Sequence, residues 1–112
     1  KMANIYLNAK VDLVNTDNTS LYTCPSNSRA IVKSILISED AGSGTTINVT
    51  LVNAAGAVFS LFKLKAIGVN ATTQLLTEPL VIMENEVLKV QAADANELHV
   101  VATILEMNRE DR

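Results

Sequence analysis

Leu98-His99-Val100-Val101-Ala102-Thr103-Ile104-Leu105-Glu106-Met107 reads with a period of two. Leu98, Val100, Ala102 and Ile104 share one side; His99, Val101, Thr103, Leu105 and Met107 share the other. A period of two is the strand period, because successive side chains point to opposite faces of a sheet. A strand lying over water alternates apolar with polar. Here Val101, Leu105 and Met107 make the second side largely apolar as well, which predicts an outer face that something else covers.

The same period recurs upstream. In residues 5–13, Ile5, Leu7, Ala9, Val11 and Leu13 alternate with Tyr6, Asn8, Lys10 and Asp12. Residues 29–38 are rich in isoleucine and therefore stiff and suited to a pleated surface. Strict alternation there sets Ile31, Ile35 and Ile37 on one side and Val32 and Leu36 on the other. Residues 45–52 place Ile47, Val49 and Leu51 together. Residues 57–66 set Val58, Phe62 and Leu64 against Phe59, Leu61, Lys63 and Lys65, unless a bulge rotates part of the strand. Shorter extended pieces are expected at 21–23, 72–77, 80–83 and 87–91.

The segments between them are turns. Residues 15–20 are rich in Asn, Asp and Thr, whose side chains bond to nearby backbone. Residues 39–44 hold Gly42 and Gly44, and residues 53–56 end a hairpin loop on Gly56. Glu78-Pro79 marks a corner or an edge. Residues 92–97 are the only competing helical stretch and are too short to stand alone. About eight strands at this spacing predict an all-β chain, an antiparallel β-sandwich forming one domain over residues 1–112.

Composition removes most chemistry. A 112-residue chain has enough material for one core. The apolar fraction of 48% excludes disorder. A net charge of −3 argues against a nucleic-acid partner, which needs clustered Lys and Arg. One cysteine rules out an internal disulfide, and with one histidine it leaves no Cys/His zinc set. Residues 41–62 carry no charge, but Gly42, Ser43, Gly44, Thr45, Thr46, Asn48, Thr50 and Asn53 unsuit them to a bilayer, so no membrane partner is expected. Met2 reads as the initiator, with Lys1 in front of it, and no signal peptide follows. Sequons at Asn18, Asn48 and Asn70 are therefore read as accidents of an Asn- and Thr-rich chain.

The remaining reactive side chains carry little. His99 has no marked nucleophile or acid beside it, and Cys24 has no thiolate-stabilising neighbour in sequence. Glu84, Glu86, Asp94 and Glu97 sit in turns, where Glu84 and Glu86 can also guard an edge against unwanted pairing. Asp94-Ala95-Asn96-Glu97 has a partial likeness to a calcium loop but lacks its glycine and ligand count. Gly42-Ser43-Gly44 is not followed by the rest of a phosphate-binding fingerprint. No catalytic residue, metal site or cofactor is expected. The residues singled out are a subunit-contact set of Phe59, Leu61, Val101, Leu105 and Met107.

Two stretches carry a resemblance. Leu21-Tyr22-Thr23-Cys24-Pro25-Ser26-Asn27-Ser28-Arg29-Ala30-Ile31-Val32-Lys33-Ser34-Ile35-Leu36-Ile37 resembles a pattern in small tailed-bacteriophage virion proteins. In those proteins an extended piece and a polar loop precede a strand. Ala93-Asp94-Ala95-Asn96-Glu97-Leu98 through Glu106 resembles their last strand, which ends on an acid. Cys24 departs from the pattern.

The resemblance implies a jelly-roll-like sandwich in the virion, as capsid decoration or cement, or as a neck or tail accessory. It implies partners in the major capsid protein or other virion proteins, and a homo-oligomer, with a trimer as first expectation. A receptor-binding module is the alternative, although Tyr6, Tyr22, Phe59 and Phe62 are few aromatics for carbohydrate. A cupin-type enzyme shares the outline, but one histidine falls short of its metal set.

Overall fold

The computed structural model describes residues 2–109. These residues form nine strands and no helix. In chain order they are β1 (Met2–Leu13), β2 (Thr19–Thr23), β3 (Ser28–Glu39), β4 (Thr45–Val52), β5 (Val58–Ile67), β6 (Thr72–Gln74), β7 (Leu80–Ile82), β8 (Val87–Ala92) and β9 (Leu98–Arg109). One sheet runs β1-β9-β3, with β6 and β7 pairing to different stretches of β3. The other runs β2-β8-β4-β5. Every pairing is antiparallel. The expected sandwich is present, with strands crossing between sheets in the jelly-roll manner. β6 and β7 are two halves of one edge along β3, interrupted by residues 75–79, which include Pro79, a residue that cannot donate to a ladder.

The core is the seam between the sheets. Ala30, Val32, Ile35, Ile37, Val100, Ala102 and Ile104 face Ile47, Val49, Leu88 and Val90, and all are closed to solvent. Each fully buried Val, Leu or Ile contributes about 1.5–3 kcal/mol relative to exposure. The two faces of β9 fall as its alternation predicts: Leu98, Val100, Ala102 and Ile104 inward, His99 and Val101 outward.

Two other strands depart from strict alternation. In β3 the register against β9 slips between Val32 and Ser34. That bulge adds one residue and reverses the phase, so Ala30 and Val32 share the inner face with Ile35 and Ile37. Ile31 is therefore on the outer face with Leu36, the opposite of its expected side. In β5 the register against β4 slips twice, around Leu61 and around Lys63–Leu64. Leu64 takes a left-handed φ of 52°, and its N–H donates to Asn48 Oδ1 at 2.7 Å. With these shifts Leu61 packs on the core margin beside Phe62, while Phe59 stays exposed. Phe59 and Leu61 do not form one outward stripe with Lys63 and Lys65.

Two buried polar contacts fix the ends. Glu39 is closed to solvent, and its carboxylate accepts the N–H groups of Ala41, Gly42 and Asn70 at 2.8, 3.2 and 2.7 Å. It clips two turns at one end of the sandwich. At the opposite end the Tyr22 hydroxyl on β2 meets Glu106 on β9, joining the sheets.

Candidate functional site

The reactive residues are engaged in structure. The His99 ring lies between Asp12 Oδ1 and Asp40 Oδ2, at 3.2 and 3.5 Å, with its side chain 46% exposed. Cys24 is buried, and burial pushes its thiol pKa up, which keeps it protonated and unreactive. Glu84 accepts the Asn27 N–H and Glu86 the Met83 N–H, both at 2.9 Å. Asp94 accepts from the Thr45 hydroxyl at 2.6 Å. These acids hold turns. Among the described residues no cluster of His, Cys, Asp and Glu could hold a metal ion.

What remains is surface, and the register of the five-stranded sheet orders it. Residues opposite one another on neighbouring strands lie side by side on one face. At one end the outer row is Asp12, His99, Ser38 and Thr72. Next comes Lys10, Val101, Leu36 and Gln74. Asn8, Thr103 and Ser34 follow. The fourth row is Tyr6, Leu105, Ile31 and Val81, which crosses all four strands without a charge. The last is Asn4, Met107 and Arg29. The face therefore carries one apolar row near one end of the strands, with the polar row Asn8–Thr103–Ser34 on one side of it and Asn4, Met107 and Arg29 on the other. Tyr6 is 68% exposed and Val81 52%, and Leu105, Ile31 and Met107 are half-buried only by each other and their neighbours.

The second sheet has an apolar outer row of its own. Its outer row nearest the turn between β7 and β8 is Val58, Val52, Val87 and Thr23. The next row along is Ser60, Thr50, Lys89 and Ser20. Because β7 and β8 are joined by the short turn at residues 83–86, the two apolar rows lie at the same end of the sandwich. A cleft of about 430 Å³ lies at this end, lined by Asn27, Ser28, Arg29, Glu84, Met107 and Arg109.

Of the expected contact set, Val101, Leu105 and Met107 are brought together on the outer face of β9. Phe59 and Leu61 lie on the other sheet and are not part of that face. Sequence reasoning missed Tyr6, Ile31 and Val81. On its side of β1 Tyr6 sits between Asn4 and Asn8 and reads as part of a polar side. Ile31 is hidden by the bulge, and Val81 belongs to a three-residue strand too short to show a period.

No family model matches the chain, and no curated protein matches its sequence. Solved structures do match its fold. A chain of the acid-stable capsid of the Helicobacter pylori bacteriophage KHP30 aligns with a TM-score of 0.57 and 14% identity, over 98% of this chain and 100% of that one. A chain of infectious bursal disease virus, Gx strain, aligns with a TM-score of 0.58 and 8% identity, over 96% of this chain and 32% of that one. This chain thus spans about a third of the bursal virus chain and the whole of the phage one. At such identity the likeness is one of fold: the sandwich is of the jelly-roll kind found in viral and phage capsid structures.

Proposed function

We propose that this chain is a structural virion protein of a bacteriophage, a decoration or cement subunit that binds the capsid shell and its own copies. The observation that carries the reading is the uncharged row Tyr6–Leu105–Ile31–Val81 across the outer face of the five-stranded sheet. Left in water, such a row forgoes about 25 cal/mol for each Å² of apolar surface. Covered by a neighbouring subunit it supplies the centre of a contact, with polar rows as its rim. Val101, Leu105 and Met107 are the contact residues on β9. A protein of this kind works by area and repetition, so it needs no reactive side chain. The whole-length likeness to a phage capsid chain supports the reading.

The test is the amount of the chain in purified virions, measured by quantitative mass spectrometry. A fixed stoichiometry to the major shell subunit supports decoration. A handful of copies per particle moves the protein to the neck or tail, and absence from the particle overturns a virion role. The trimer implied by the resemblance is decided separately, by the particle mass of the isolated protein.

A further inference from the structure

The two sheets have four edges, and three are blunted. β2 has five residues and a register slip between Ser20 and Tyr22. β5 has two slips and the left-handed Leu64. The remaining edge is split into β6 and β7, of three residues each. Short, bulged or interrupted edges resist pairing with another chain. β1 is the exception: it pairs with β9 over twelve residues without a slip.

The direction of its free backbone groups follows from two hydrogen bonds. The Leu13 carbonyl accepts the Asn96 N–H at 3.0 Å, so the backbone groups of Leu13 face the β9 side. The Arg109 N–H donates to the Asn27 carbonyl at 3.0 Å, so Arg109, opposite Met2, turns toward β3 and not toward β1. In an antiparallel ladder alternate residues share a direction. Leu7, Ala9 and Val11 therefore bond to β9, and Asn4, Tyr6, Asn8 and Lys10 present N–H and C=O to the open edge. The opposite side of the strand is also incompletely covered. Ile5 is 47% exposed, and Leu7, Ala9 and Val11 are only half-buried although they point toward the second sheet.

We propose that β1 pairs antiparallel with β1 of a second copy, about a two-fold axis at Asn8, extending the five-stranded sheet across the dimer. Charge selects this occupant. Within residues 3–13 the only charges are Lys10 and Asp12, both in the second half of the strand. Antiparallel pairing sets each against the uncharged half of the partner, whereas parallel pairing in register would oppose Lys10 to Lys10. With Asn8 opposite its symmetry mate, Lys10 faces Tyr6, an ammonium beside an aromatic ring, and Asp12 faces Asn4. Even-numbered residues meet even-numbered ones, so the open-edge N–H and C=O groups of Tyr6, Asn8 and Lys10 all find partners, the Asp12 carbonyl opposite Asn4 already accepts the Val14 N–H at 3.0 Å, and outer faces stay outer.

The inference deepens the proposed self-binding and rests on the backbone groups of β1, sharing only the Tyr6 side chain with the outer-face contact. Asn8→Pro removes one open-edge N–H, a change tolerated where the N–H faces away from the sheet. It is expected to keep the β-sheet circular dichroism spectrum and to halve the particle mass. Asn8→Cys, which replaces an exposed side chain that accepts from the Lys10 ammonium at 3.0 Å, is expected to give a disulfide-linked dimer on mild oxidation. Asn4→Cys is not, since this register separates the two copies of residue 4 by roughly 27 Å, eight residues along a strand. The edge contact is overturned if Asn8→Pro keeps its assembly mass, or if Asn8→Cys fails to cross-link, or if both cysteine variants cross-link equally. Where Asn8→Pro assembles normally while Leu105→Asp dissociates, the edge proposal fails and the outer-face contact stands.

Discussion

The Tyr22 hydroxyl donates to Glu106 Oε1 at 2.5 Å, joining β2 of one sheet to β9 of the other. Sandwich sheets are otherwise held by apolar contact, which fixes spacing but permits sliding; a short charge-assisted bond fixes position. Tyr22→Phe keeps the ring and removes the donor, leaving the half-buried Glu106 without it. The expected cost is about 1.5–3 kcal/mol, read as a lower urea midpoint at unchanged slope. An unchanged midpoint would show that water replaces the hydroxyl at no cost.

The same pair predicts an alkaline limit. Burial, then the bond to Glu106, then the neighbouring Cys24 push the Tyr22 pKa far above its usual 10. A folded pKa raised above the unfolded one gives stability that is complete below pH 10 and lost as pH rises beyond it. Spectrophotometric titration should show one tyrosine that ionises only as the sheet signal collapses. Ionisation of both tyrosines in the intact fold would contradict the assignment.

Glu39 predicts an acid limit. The Asn70 N–H, followed by those of Ala41, Ser43 and Gly42, holds its carboxyl below the usual carboxylate value despite the opposing effect of burial. A lowered folded pKa gives stability present above the unfolded value of 4.5 and lost as pH falls through the folded one. The stability difference between the parent and Glu39→Gln should be largest near neutrality and shrink below pH 4.5. A difference independent of pH would show that the carboxylate charge is not what holds the two turns.

Leu64 is a leucine in a left-handed conformation, 62% exposed at the β5 bulge. That conformation costs a residue with a Cβ roughly 1–2 kcal/mol, and glycine avoids it. Leu64→Gly should therefore raise stability by about 0.5–1 kcal/mol in urea unfolding, against the usual effect of removing an apolar side chain. Destabilisation would show that the leucine side chain carries contacts worth more than the backbone strain.

Ile104 and Leu105 are neighbours on β9 with opposite destinations. Ile104 is fully buried, so Ile104→Ala should cost about 2–5 kcal/mol. Leu105→Ala should cost the isolated fold much less. Equal losses would mean that Leu105 belongs to the core of a single copy.

These faces show how far the chain's pattern discloses its structure. β9 is legible because it has no slip in its alternating part, so a count of two places every side chain. β3 is not, because one added residue near Lys33 reverses the phase, and no composition signal marks a bulge without glycine. β5 is read only in part for the same reason, doubled. The Tyr22–Glu106 bond and the Glu39 clip join residues 84 and 31 positions apart, and no local pattern carries such a contact. The apolar outer face was legible on β9 alone. Its width across Tyr6, Ile31 and Val81 appears only once register is known.

The most direct test of the account is the particle mass of the parent protein and of Leu105→Asp, by light scattering at micromolar concentration. The expected result is an oligomeric parent and a lighter Leu105→Asp particle that keeps the β-sheet spectrum. A charge in the centre of the Tyr6–Ile31 row denies the contact without touching Ile104 and the core. A monomeric parent, or a Leu105→Asp particle of unchanged mass, would contradict it.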